Sequence, residues 1–112
     1  MYFNIGIDIE QVSRFKKRDN RLFEKIFSKK ELKKMKNYNA QHLAGIFSAK
    51  EAIIKACNPI EKLKLKEIEI FNRKERHPHA IIKSKAIRAR DLKISISHSK
   101  DYAVAFAILS IK

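Results

Sequence analysis

The sequence is poor in the residues that interrupt, crosslink or anchor a chain. Two glycines and two prolines among 112 residues leave no flexible linker, and no low-complexity tract or internal repeat divides the sequence. A single domain covering residues 1–112 is therefore expected, long enough for one core and too short for two. The lone cysteine, Cys57, excludes an internal disulfide and suits a reducing compartment; its setting, IIKACNP, reads as core packing near a helix end. The longest apolar run, YAVAFAILSI, is about ten residues, far short of a membrane span. The opening MYFNIGIDIE carries acids where an export signal needs an unbroken apolar stretch. A soluble, cytoplasmic protein with no membrane partner is predicted.

Acids are scarce as well. Twelve Asp and Glu face 26 Lys and Arg, a formal net charge of +14, which predicts an acidic partner: nucleic acid, an anionic membrane, a phosphorylated ligand or an acidic protein. Charge alone does not choose among them.

What is present falls into two periods. Residues 2–10 alternate, with Phe3, Ile5, Ile7 and Ile9 on one face and Tyr2, Asn4, Gly6, Asp8 and Glu10 on the other, the pattern of a strand with one apolar face. From Val12 to Asn37 the spacing is helical, broken around Asp19 and Asn20. SKKE at 28–31 is a capping box that opens a second short helix. A longer helix is expected from about Asn39 to Cys57, stopped before Asn58 and Pro59. Beyond it the period becomes two, and KLKLKEIEIF, HAIIKSKAI, LKISISHS and YAVAFAILSI read as four strands. One strand, then helices, then strands predicts an α+β domain with mainly antiparallel pairing.

Because acids are few, their positions are informative. Asp8 lies in a strand, which disfavours aspartate, and Gly6 on the same face is expected to leave open space beside its carboxylate. A solvated strand face is the alternative. On the long helix, steps of about 100° per residue put Ala44, Ser48, Glu51 and Lys55 on one stripe. Glu51 and Lys55 could be an ordinary surface pair, but their flanks in FSAKEAIIKA are apolar, and a buried charge needs a partner or a ligand. If Asp8 and Glu51 converge, they supply two hard oxygen ligands of the kind Mg²⁺ accepts, with Lys55 one turn away to pair with a phosphate or carry a proton. In LKISISHS, Ile94, Ile96 and His98 alternate onto the apolar face; a histidine there is either a satisfied core residue or a ligand.

GIDIE at 6–10, FSAKEAIIKA at 47–56 and SISH at 95–98, in this order and in so short a chain, resemble the holo-acyl-carrier-protein synthases, the small bacterial branch of the 4′-phosphopantetheinyl transferases. The resemblance runs from about Ile5 to Ala107 and implies a single small α+β domain. It also implies transfer of the phosphopantetheine arm of coenzyme A to a serine of apo acyl carrier protein, with Mg²⁺, in fatty acid biosynthesis. It assigns Asp8 and Glu51 to the metal, Glu51 and Lys55 to catalysis, and Lys50, Lys55, Pro78 and His98 to coenzyme A. It assigns Arg14 and Arg21 to the acidic carrier, and Glu10 to a possible extension of the metal site. A metal-associated water or Glu51 takes the serine proton; the sequence leaves both open. Members of this branch are trimers with the active site between neighbouring subunits, and a homotrimer is expected here. The +14 charge would then raise the encounter rate with an acidic carrier and a polyanionic cofactor.

The chain also departs from the resemblance. CNPIEK at 57–62 stands where relatives commonly carry a Gly-Thr-Gly turn. Ile46 stands where many have an arginine that contacts phosphate. RKERHPHA keeps Pro78 without the preceding glycine, and Arg73, Lys74, Arg76 or His77 are the expected substitutes for the missing charge. Two competing readings are a small basic nucleic-acid-binding module, which explains the charge but not the acids, and a family member that binds carrier protein without catalysis.

Overall fold

β1 (Tyr2–Gln11) pairs along its whole length with β5 (Tyr102–Ile111), and β5 pairs with β4 (Leu92–His98), all antiparallel, giving the order β1-β5-β4. β2 (Ile68–Asn72) and β3 (Pro78–Ile82) form a separate antiparallel hairpin. Between β1 and β2 run α1 (Asn20–Ile26), α2 (Lys29–Lys34) and α3 (Ala40–Cys57). The structure, a computed structural model, describes residues 2–72 and 77–111. The α+β class and the order strand, helices, strands are those the sequence predicts.

Local chemistry explains the boundaries. Asp19 ends the helical spacing after Phe15 by accepting the Arg21 and Leu22 amides, so it caps α1. Ser28 and Glu31 form the expected reciprocal capping box of α2. Asn39 caps α3 through the His42 amide at 2.8 Å, and Pro59 follows its end. The two middle strands are shorter than their alternation suggests. Glu67 accepts the Lys64 amide at 2.8 Å, holding Leu65–Glu67 in a 3₁₀ turn before β2. After β3, Ser84 Oγ accepts the amides of Ala86 and Ile87, a side-chain turn that ends extended pairing.

α3 is apolar almost all round and lies at the centre of the molecule. One of its faces packs on the inner face of the sheet, where Ala103, Ala105 and Ala107 are buried. Small residues on both elements allow a close approach, and Gly6 is where β1 and α3 come closest. A methyl there would overlap the Ala52 carbonyl oxygen and reach within 2.8 Å of the Ala56 amide nitrogen. The open space expected at Gly6 is therefore filled by helix backbone. Phe15, Phe23, Phe27 and Met35 close the core on the other side of α3, with Ile68 from the hairpin.

The apolar face of β1 points the other way. Gly6, Asp8 and Glu10 face α3, while Ile5, Ile7 and Ile9 are each at least 60 % exposed. Register places Ile7 opposite Phe106 and Ile9 opposite Val104, so the outer face of the sheet is a continuous apolar surface. Among the described residues no helix is long and apolar enough to cross a membrane.

Candidate active site

Asp8 sits mid-strand on β1 with its side chain toward α3, and three contacts fix it there. Ser48 Oγ donates to the Asp8 carbonyl oxygen at 2.8 Å. Lys55 Nζ donates to the Ile7 carbonyl oxygen at 3.0 Å and lies 3.6 Å from Asp8 Oδ1. The stripe Ser48, Glu51, Lys55 thus faces the strand that carries Asp8, at the point where Gly6 lets the two elements touch.

Three carboxylates share this region. Burial first, and then the neighbouring Asp8 carboxylate, push Glu10 up to about 7, opposed by Arg14. Burial first and then the Asp8 charge raise Glu51 as well, opposed by Lys55 and Arg14. Like charges held together resist ionising, and a cation among them would relieve the repulsion. Asp8 Oδ2 carries the same message: it is buried and, among the described residues, has no hydrogen-bond partner. No three metal-ligating side chains of the described residues converge on one point, so those residues offer no all-protein cage. A pair of carboxylates is a donor set that suits Mg²⁺, which keeps water and substrate phosphate in its shell.

A second concavity of about 240 Å³ adjoins β4 and the first turns of α3, with His98, Pro78, His42 and Tyr38 on its walls. His98 ends the inward row Ile94, Ile96, His98 of β4, as alternation predicts, but it is exposed and not a core residue. Pro78 opens β3 on the opposite wall. Tyr38 stacks on His42 at 4.1 Å between ring centroids, and neither residue was singled out by the sequence patterns. Arg73, Lys74 and Arg76 lie outside the described residues; His77 is exposed beside the neighbouring groove along β3 and β4.

Lys50 is not at this cleft. It is wholly buried, and its ammonium donates to the Ile26 carbonyl at 2.7 Å, to the Leu65 carbonyl at 3.2 Å and to Glu31 Oε1. All three N–H groups are used inside the core, so the expectation that Lys50 contacts coenzyme A gives way to a structural role. Glu31 Oε2 also accepts the Ile70 amide at 2.9 Å. One buried ion pair therefore ties α1, α2 and β2 to α3 next to Glu51. Sequence reasoning missed it because its first half, Glu31, is legible only as half of a capping box.

Arg14 is half-exposed, bonded to Glu10 at 2.8 Å and stacked over the Phe47 ring at 5.3 Å, which places a guanidinium at the edge of the carboxylate group. Arg21 lies on the exposed side of α1, beside Lys25 and Lys66. Arg18 is exposed but tied down, donating to the Met35 and Lys36 carbonyls at 2.8 Å.

The family model described as the 4′-phosphopantetheinyl transferase superfamily matches residues 4–107. The chain belongs to this family. A curated holo-[acyl-carrier-protein] synthase of Caldicellulosiruptor bescii is 39% identical to this transferase over 118 residues, covering 96% of the chain and 98% of the relative. That of Clostridium tetani is 36% identical over 121 residues, covering 97% and 96%. Among solved structures, a holo-(acyl-carrier-protein) synthase from Bacillus anthracis in complex with CoA (3′,5′-ADP) is similar with TM-score 0.80 and 34% identity, covering 95% of this transferase and 94% of that chain. The Helicobacter pylori synthase in complex with coenzyme A is similar with TM-score 0.77 and 30% identity, covering 95% and 99%.

Proposed function

We propose that this chain, as one domain over residues 1–112, is a cytoplasmic enzyme of fatty acid biosynthesis. It moves the 4′-phosphopantetheine group of coenzyme A to a serine of apo acyl carrier protein in a Mg²⁺-dependent reaction. The carrying observation is similarity over nearly the whole chain to holo-acyl-carrier-protein synthases, one of them in complex with coenzyme A, together with an orphaned buried carboxylate oxygen at Asp8.

The serine hydroxyl attacks the phosphorus that bears the pantetheine arm. The bond to the departing adenosine 3′,5′-bisphosphate breaks, and the hydroxyl proton passes to a base. Such a transfer needs positioning and charge neutralisation more than covalent help from the protein. Asp8 and Glu51 would hold Mg²⁺, which when bound supplies charge neutralisation at the diphosphate. Lys55, anchored on the Ile7 carbonyl, presents its remaining protons to a phosphate oxygen. Glu51 or a water would accept the serine proton. Pro78 and His98 line the wall that would receive the nucleotide. Arg14 and Arg21 present cations to the acidic carrier.

The outer face of the sheet is the subunit interface of a homotrimer in this reading. Contiguous exposed aliphatic residues mark association surfaces, and Ile7 at 60% and Phe106 at 40% exposure stand in such a patch. Exposed aromatics also occur in nucleic-acid modules, but here Ile5, Ile7 and Ile9 surround them, which favours a protein neighbour.

The test is to incubate the purified protein with apo acyl carrier protein, coenzyme A and Mg²⁺ and to follow the carrier's mass. The carrier gains one phosphopantetheine. An unmodified carrier, beside an authentic transferase that modifies it, contradicts the proposal and leaves a carrier-binding role.

A further inference from the structure

Among the described residues, the walls of the cleft that would receive the nucleotide carry no permanent charge. Tyr38, His42 and His98 are the titratable ones that line it, in a chain whose formal charge is +14. Of these, His42 and His98 can offer an anion a cation, as imidazoliums. His42 comes from the first turn of α3 and His98 from the end of β4, and two contacts fix their relation. The Tyr38 ring stacks on His42 within 5° of parallel. Gln41 Nε2 donates to the Ser99 carbonyl oxygen at 3.1 Å, tying that turn of α3 to the strand end that carries His98. Phe71 and Pro78, from the hairpin opposite, bring no charge. Among the described residues neither imidazole makes a hydrogen bond, so both rings keep their nitrogens for a ligand.

We propose that His42 and His98 form a proton-linked site for a phosphate monoester, and that His42 sets how tightly the co-substrate's nucleotide binds. The inference rests on the coenzyme A reading above and goes beyond the residues assigned there. In the free protein, burial first and then the His98 charge lower His42 from its ordinary value, which favours the neutral ring. A phosphate dianion beside His42 favours its protonated form, and binding draws a proton from solvent. Ile46, one helical turn beyond His42 on the same wall, adds no charge, so the site depends on pH where an arginine would not.

Affinity follows by linkage. Lowering the pH from 8 to 6.5 strengthens coenzyme A binding roughly three- to tenfold, in proportion to the proton taken up. The monoester's own second ionisation lies near 6, so part of it is monoanionic at pH 6.5; this opposes the gain and is the same for the native protein and His42→Phe. The experiment is calorimetric titration with coenzyme A and with dephospho-coenzyme A, in Mg²⁺, across this range and in two buffers of different ionisation enthalpy. The native protein should take up protons with coenzyme A and little with dephospho-coenzyme A. His42→Phe, which keeps an aromatic ring against Tyr38, should bind coenzyme A with a flattened pH slope; inorganic phosphate should compete with coenzyme A in the native protein only. Equal slopes for the native protein and His42→Phe, or for both ligands, overturn the proposal while leaving the coenzyme A reading intact. Failure of coenzyme A to bind at any pH overturns both.

Discussion

Glu51 is the residue on which the proposed chemistry turns. Glu51→Gln keeps the shape of the side chain but gives a poorer ligand for a hard cation. Turnover should fall about a hundredfold or more with the thermal midpoint nearly unchanged; a Gln variant of native activity would remove Glu51 from the site. Cys57 offers a test of burial. Burial first, and then Glu61, push its thiol up to about 11 from the ordinary 9.0. The folded state therefore holds the proton more tightly than the unfolded one. Stability from this group is fully present below pH 9 and is lost between pH 9 and 11. Cys57→Ala should flatten the stability profile in that window, measured by denaturant titration. Asp8, Glu51 and His98 were legible as candidates because each breaks the pattern around it. Lys50 was legible as an oddity but not in its role, since three acceptors from separate elements leave no trace in local spacing. His42 was illegible for the opposite reason: near the start of a helix it looks like any polar residue.

At the scale of elements, the account depends on β1 and α3 meeting. Gly6→Ala should force them apart, because the added methyl meets the Ala52 and Ala56 backbone rather than a movable side chain; a loss of roughly 1–3 kcal/mol is expected, together with activity. The Lys50–Glu31 pair should matter more. Lys50→Met leaves a carboxylate unpaired in the core and should cost about 3–5 kcal/mol in urea unfolding. Adding Glu31→Gln to it should cost much less than the sum of the single changes. The α+β order was readable because the hydrophobic period changes twice, after the first strand and again after Cys57. The lengths of β2 and β3 were not, since Glu67 and Ser84 end extended pairing through side-chain hydrogen bonds inside stretches that still alternate. Nor did alternation say which face of β1 is inward. The strand has an apolar face and a polar one, and the polar one packs on α3 because glycine and alanine let the backbones close.

For the whole molecule, the outward apolar face and the basic surface have separate consequences. Ile7→Asp should split the proposed homotrimer into monomers in sedimentation, with activity lost alongside; a monomeric native protein of full activity would contradict the interface. Arg14→Ala should raise the KM for carrier protein and reduce its salt dependence, while an unchanged salt slope would count against its role. The proposed assembly could not be read from a single strand's alternation, because an apolar face buried by a neighbour has the same pattern as one buried by its own core.

The most direct measurement of the central claim is a crystal structure with coenzyme A and Mn²⁺ in place of Mg²⁺, the metal located by its anomalous scattering. The account predicts one ion at the diphosphate with oxygens of both Asp8 and Glu51 in its inner shell, at about 2.0–2.3 Å. An ion bound there without either carboxylate, or a diphosphate seated away from Asp8, would contradict it.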